Sequence, residues 1–257
     1  MKIFSYNVNG IRAAMGKGFL NWLAKEKPDI ICLQETKVSP EQINLLEFDS
    51  MGYSTYWNSA QKKGYSGVAI LSKTIPDSIT IGMDNIIFDT EGRVLRADFP
   101  EFTLLSIYCP SGTTGDTRQE YKMQFLNDLT LFIQKLILEK PNLILSGDFN
   151  ICHKEIDINN PKKHIKMSGF LPEERSWMDK FFGLGLIDSF REFNKEPNQY
   201  SWWSYRAASR MKNLGWRIDY HIVSQSIKTN LVNAGIMQNV FHSDHCPVWA
   251  EFDFKSK

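Results

Sequence analysis

The chain reads as one α/β domain in which two β-sheets pack face to face. Three observations predict it. Short apolar, strand-like runs recur in two series with helical stretches between them. The 257 residues, 42% hydrophobic and 23% charged, suffice for a sizeable core. No low-complexity linker divides them, so residues 1–257 are expected to form a single domain.

The elements follow in order. Residues 3–8 form an apolar-rich strand candidate. Residues 18–25 carry Phe19, Trp22 and Leu23 at helical spacing, and Pro28 closes the helix. Residues 29–34 are a buried-strand run ending at Glu35, and 67–71, 94–99 and 104–108 read as further strands. Residues 118–138 place Phe125, Leu129, Phe132, Ile133 and Leu136 on one helical face, and Pro141 stops that helix. Residues 142–145 are again a buried strand, running into Ser146-Gly147-Asp148-Phe149-Asn150. Residues 156–169 are polar and basic, a surface loop by composition. Pro172–Phe182 is a helix whose first turn suits Pro172, Glu173 and Glu174. Gly183-Leu184-Gly185 lacks the third glycine of a dinucleotide fingerprint and follows a helix, so it reads as a turn. Residues 217–223 and 247–254 are the last two strands.

Composition narrows the function classes. No apolar run approaches the roughly 20 residues of a membrane span. The first residues enter a strand without a secretory apolar region, so a cytoplasmic protein is expected. Lys plus Arg is 30 and Asp plus Glu is 29, a net charge of +1, so a nucleic-acid partner would need a local basic face. Cys32, Cys109, Cys152 and Cys246 form no CxxC pair and read as buried reduced thiols.

One pattern carries chemistry. Apolar strands run out into carboxylates and carboxamides: Asn7 and Asn9, Glu35, Asp148 and Asn150, Asp219, and Asp244-His245 at the opening of the last strand. Ligand sites of α/β proteins collect at strand ends. Carboxylates gathered there repel one another unless a cation holds them, and a hard divalent ion such as Mg²⁺ suits an all-oxygen set.

These residues stand in a specific order. Ser5-Tyr6-Asn7-Val8-Asn9-Gly10, Leu33-Gln34-Glu35-Thr36-Lys37, Gly64-Tyr65-Ser66-Gly67, Gly147-Asp148-Phe149-Asn150, Gly215-Trp216-Arg217-Ile218-Asp219-Tyr220 and Ser243-Asp244-His245 resemble the motifs of the exonuclease III family. Tyr108-Cys109-Pro110-Ser111-Gly112, Glu155-Ile156-Asp157 and the 169–175 segment fit as well, so the likeness spans essentially the whole chain. The family comprises Mg²⁺-dependent apurinic/apyrimidinic endonucleases of base excision repair. The resemblance implies a four-layered αββα sandwich of two packed mixed β-sheets flanked by helices.

It also implies roles. Glu35 would be the principal ligand of Mg²⁺, with Mn²⁺ as a substitute, and Asn7, Asn9 and Asp244 would stand in or near the metal shell. Animal members tend to carry Asp where this chain has Asn9. Asp148 would orient and deprotonate the attacking water with help from Asn150. Asp219 would hold His245 in one tautomer, and both Asp148 and His245 stand as candidate bases. Tyr108 would bond the phosphate or assist the leaving group. Trp202, Trp216 and Ile218 would wall a pocket for a base-free sugar, which costs less to extrude than an intact nucleotide. Lys62, Lys63, Lys162, Lys163, Arg206, Arg210 and Lys212, with Lys166 and Arg217, are candidate DNA contacts. The expected substrate is duplex DNA with abasic sites or blocked 3′ ends, cut by a monomer with no membrane partner, and the resemblance also implies 3′-phosphodiesterase, 3′-phosphatase and 3′-5′ exonuclease activity. A same-fold phosphatase or sphingomyelinase-like phosphodiesterase is the alternative; a non-catalytic DNA-binding protein would have to lack a core residue, and none is missing.

Overall fold

The computed structural model describes residues 1–254. Twelve strands form two six-stranded mixed sheets among the described residues. The first contains β1 (Lys2–Asn7), β2 (Ile30–Gln34), β3 (Ser54–Asn58), β4 (Val68–Ser72), β11 (Leu231–Ile236) and β12 (Val248–Phe252), in the order β11-β12-β1-β2-β4-β3. The second contains β5 (Ser78–Ile81), β6 (Val94–Asp98), β7 (Thr103–Tyr108), β8 (Leu143–Asp148), β9 (Leu186–Asp188) and β10 (Asp219–Ser224), in the order β5-β6-β7-β8-β10-β9.

Each sheet has one parallel pair at its centre and antiparallel neighbours outside it. β1 pairs parallel with β2, and helices Ile11–Gly16 and Phe19–Glu26 make the crossover. β7 pairs parallel with β8 across helix Asp116–Glu139. The crossovers cover the outer faces, so both faces of the central strands are buried and their sequences are almost wholly apolar.

The two-residue side-chain period sorts these runs into layers. Ile3, Ile30, Cys32, Leu104 and Ile144 point between the sheets. Phe4, Ile31 and Leu33 point outward against Phe19 and Leu23. Leu105, Ile107, Leu143 and Leu145 meet Phe125, Leu129 and Ile133 of the long helix and Trp177 and Phe181 of helix Pro172–Phe182. The layers are therefore helix, sheet, sheet, helix.

Several details depart from the sequence reading. The fold adds β3, β5, β9, β11 and the helix Ile11–Gly16 to the expected elements; β5 and β11 are edge strands with mostly exposed or half-exposed residues, so they lack a clean apolar pattern. The 156–169 segment contains a one-turn helix, Pro161–His164. The last strand starts at Val248, not 247, and His245 lies in the loop before it, bridged to Trp202. Strand β10 begins at Asp219, so Arg217 precedes it.

Candidate active site

Strand direction gathers the polar residues. Asn7, Tyr108 and Asp148 are the last residues of β1, β7 and β8, and Glu35 follows the last residue of β2. Asp219 is the first residue of β10, which runs antiparallel to β8 and sets Asp219 opposite Asp148. β12 is antiparallel to β1, so the loop that enters it delivers Asp244 and His245 to the same end of the sandwich.

Asn7 joins the two sheets there. Its Nδ2 donates to Glu35 Oε1 at 2.9 Å and to Asp148 Oδ2 at 2.9 Å, and its Oδ1 accepts the Asn9 N–H at 3.0 Å. Asn150 fixes Asp148 from the other side. Its N–H donates to Oδ1 at 2.8 Å and its Nδ2 to Oδ2 at 3.2 Å, while Nδ2 also reaches the Cys109 carbonyl at 2.9 Å. His245 Nδ1 meets Asp219 Oδ2 at 2.9 Å, which leaves Nε2 facing Asp148 Oδ2 at 3.9 Å. One ligand atom each from Glu35, Asp148 and His245 lies within 4.8 Å of the others, the one such metal-competent group among the described residues.

The electrostatics follow from burial and crowding. Burial and then the Asp219 charge push the Asp148 carboxyl up to about 7, against His245, Asn7 and the Asn150 N–H. Burial alone would depress His245; the Asp219 carboxylate and its hydrogen bond, reinforced by Asp148 and Asp244, overcome it and raise the imidazole to about 10. Burial also opposes ionisation of Glu35, but Lys37 and the Asn7 hydrogen bond outweigh it and hold the carboxyl below its usual range. Tyr108 is raised by burial and then by the Glu35 charge, with Arg93 opposing. The Arg93 guanidinium sits 4.7 Å over the Tyr108 ring and donates to the Tyr108 carbonyl at 3.0 Å.

The loops beside Glu35 are strained. Glu35 (φ 49), Lys37 (φ 56) and Ser66 (φ 47) are all left-handed, at a cost of order 1–3 kcal/mol each. Backbone bonds hold them: Gly10 N–H to Glu35 O, Thr36 N–H to Gly67 O and Lys37 N–H to Ser66 O, at 2.7, 3.1 and 2.9 Å. Lys37 then sets its ammonium 2.9 Å from Glu35 Oε2 and donates to Asn9 Oδ1. This corner of the site thus already binds one positive charge. In the sequence Lys37 stands only as the last residue of the Leu33–Lys37 motif, with no site role.

A cavity of about 250 Å³ opens beside the acids, lined by Tyr108, Asn150, Trp202, Trp216, Ile218 and His245 among others. Trp202 and Trp216 meet edge to face at 5.8 Å. Gly169 has φ +97, and a Cβ there would lie 2.7 Å from the Trp216 ring, so glycine is required for the wall to close. A larger hollow of about 580 Å³ around Ile158, Pro197 and Leu214 contains none of the converging acid and imidazole groups.

The remaining expected residues divide. Asp244 stands outside the metal-competent group, and its oxygens accept Asn9 Nδ2 (2.9 Å), Ser243 Oγ (3.1 Å) and Trp202 Nε1 (3.0 Å). It ties a pocket wall to the first loop, and Asn9 is spent between Lys37 and Asp244. Lys62, Lys63, Lys162, Lys163, Lys166, Arg206 and Lys212 are exposed, as phosphate contact requires. Arg217 does not belong with them: it is 1% exposed and paired with Asp157 at 2.8 Å and Asp188 at 2.6 Å. Nor does Arg210, whose guanidinium turns inward onto backbone carbonyls. A buried Lys122–Glu174 pair at 2.6 Å also went unread; Lys122 donates to the Asn150 carbonyl at 2.8 Å, and Glu174 accepts the Gly169 N–H at 2.6 Å. The one available signal was a lysine three residues before Phe125 on the apolar face of its helix.

Residues 4–245 match the model of the endonuclease/exonuclease/phosphatase family. The chain is 45% identical over 250 residues to an exodeoxyribonuclease of Bacillus subtilis, covering 96% of this chain and 98% of that one. It is 38% identical over 257 residues to a DNA-(apurinic or apyrimidinic site) endonuclease of Dictyostelium discoideum, covering 98% and 71%. Its fold superposes on a 3′-5′ exonuclease of Neisseria meningitidis with a TM-score of 0.92 at 32% identity, covering 99% and 100% of the two chains.

Proposed function

From the premise that the chain belongs to the endonuclease/exonuclease/phosphatase family, we propose that it is a DNA-repair phosphodiesterase that cuts duplex DNA 5′ to abasic sites, leaving a 3′-OH and a 5′-deoxyribose phosphate. The observation that carries this reading is the placement of Glu35, Asp148 and His245, within 4.8 Å of one another, at the rim of a cavity walled by Trp202, Trp216 and Ile218. Trimming of blocked 3′ ends uses the same phosphodiester chemistry and belongs to the same proposal.

The donor set suits a hard divalent cation. Glu35 is held ionised, Asp148 lies beside it, and this corner accepts the Lys37 ammonium. Glu35 would hold Mg²⁺, or Mn²⁺ in its place, with Asn7 orienting its carboxylate against Asp148. When bound, the ion would neutralise charge on a phosphate oxygen and on the departing 3′ oxygen.

The chain's own groups do the rest. Asp148 Oδ2 faces the space beside His245 Nε2 and is the base for the attacking water, with Asn150 fixing its angle. His245 has Nδ1 committed to Asp219, so Nε2 donates to a phosphate oxygen. Tyr108 lines the same cavity and offers its hydroxyl to the phosphate or the leaving oxygen. The two indoles and Ile218 admit a bare sugar and exclude a nucleotide that keeps its base. A monomer working at the DNA of the cytoplasm completes the proposal; no described helix is long and apolar enough to cross a membrane.

The test is incubation of the chain with a duplex carrying one tetrahydrofuran abasic analogue, with product ends mapped. Incision 5′ to the analogue, abolished by chelator and restored by Mg²⁺, is expected. Full activity in chelator would remove the cation, and no incision would remove the substrate.

A further inference from the structure

The loop carrying Asp244 and His245 has few bonds of its own. Between β11 and β12 it makes two internal backbone bonds, Met237 N–H to Pro247 O at 2.9 Å at its base and Val240 N–H to Met237 O at 3.1 Å, and its catalytic end is tied by Asp244 O to the Trp203 N–H at 3.0 Å and by the Cys246 N–H to Ser201 O at 2.8 Å. The stretch from 238 to 243 lacks a ladder. One side chain from another segment spans it. Arg210 Nη1 donates to Ser243 O at 3.0 Å and makes a long contact with His245 O at 3.5 Å, and Nη2 donates to Gln238 O at 3.0 Å and to Val240 O. The planar group is sandwiched between the Trp203 ring at 4.5 Å and the Phe241 ring at 4.3 Å.

We infer that Arg210 is a positioning residue for His245, bolting the 238–245 loop to the 205–216 segment. Only a guanidinium has several donors in one rigid plane with both faces free for stacking, so the fork sets the spacing of the carbonyls as well as binding them. The segment that supplies it has Arg206 exposed near one end and the pocket indole Trp216 as its last residue. Arg210 therefore makes pocket wall and catalytic imidazole one rigid unit. Its Nη donors are used internally and its Nε is buried without a partner, so it contributes no phosphate contact.

The inference rests on the abasic-site reading for its substrate, and the test separates the two. Arg210→Met keeps the sandwiched bulk and removes the donors. Arg210→Lys keeps a charge but loses the fork. Single-turnover cleavage at saturating abasic duplex is expected to fall by about 10²-fold in Arg210→Met, the size of loss that a small misplacement of a reacting group produces, and to fall in Arg210→Lys also. The dissociation constant and its salt slope are expected to match wild type. The downfield proton of the His245–Asp219 hydrogen bond, read by proton NMR without DNA, is expected to shift or broaden in both variants. Wild-type cleavage at saturation in either variant would overturn the inference, as would a salt slope lowered by about one, the mark of one phosphate no longer neutralised. If Arg210→Met does not fold, Arg210→Lys decides alone, since a phosphate role would survive in it. An inactive wild-type chain would instead sink the substrate reading, and the NMR comparison would still stand.

Discussion

The Asn7 amide lies between two carboxylates from different sheets and donates to both. Without it Glu35 and Asp148 would face each other with no shared donor. Asp148 is buried and stands opposite Asp219 in the strand ladder. Asp148→Asn keeps the shape but cannot take a proton. Turnover on an abasic duplex is expected to drop by about 10²–10⁴-fold, the usual contribution of a general base, while DNA affinity persists. A rate-and-binding comparison of the pure variant checks this, and a loss under tenfold would assign the proton to another group.

At the scale of elements, buried ion pairs lock the loops that end the strands. Asp157 lies at the end of a 3₁₀ turn and takes Arg217 at 2.8 Å and Arg191 at 2.6 Å, while Arg217 also holds Asp188. Burial would raise Asp157, but Arg217 and then Arg191 outweigh it and hold it down to about 2. A folded pKa below the unfolded value gives stability that is fully present above the unfolded pKa, near 3.8, and is lost as pH falls through about 2. Wild-type denaturant midpoints should therefore decline between these values, and Asp157→Asn should flatten the decline while lowering stability near neutrality by about 3–5 kcal/mol, because Arg191 loses its carboxylate and Arg217 keeps Asp188 alone. Unchanged acid sensitivity in the variant would show that other carboxyls govern that window. The Lys122–Glu174 pair works likewise between helix Asp116–Glu139 and helix Pro172–Phe182, beneath Asn150 and Gly169.

At the scale of the molecule, a net charge of +1 leaves DNA binding to local groups. Lys62 and Lys63 stand exposed on the loop after β3, and the Lys62 ammonium is 5.2 Å from the Tyr65 ring. Tyr65 in turn accepts from Arg93 at 3.0 Å and Arg118 at 2.7 Å, so this loop is anchored to the base of Tyr108. Replacing both lysines by Gln should weaken binding and reduce the slope of log K against log salt by about one for each phosphate left without its lysine. An unchanged slope in a titration across salt concentrations would make them solvated surface.

Read alone, the sequence determined the elements whose pattern is local and strong. The buried strands declared themselves as apolar runs, the long helix by its Phe125, Leu129 and Ile133 stripe, and the site by Asn7, Glu35, Asp148, Asp219 and His245 at or near strand ends, with Tyr108 added by the family resemblance alone. Edge strands such as β5 and β11 escaped because half-exposed residues need no apolar alternation. Only the tertiary structure decided which charges face outward. Arg206, Arg210 and Arg217 look alike within one basic stretch, yet the first is exposed, the second holds carbonyls and the third is buried among carboxylates. The reason is physical: a guanidinium's partner is fixed by what the fold brings within about 3 Å, and those partners lie 28 to 60 residues away in sequence.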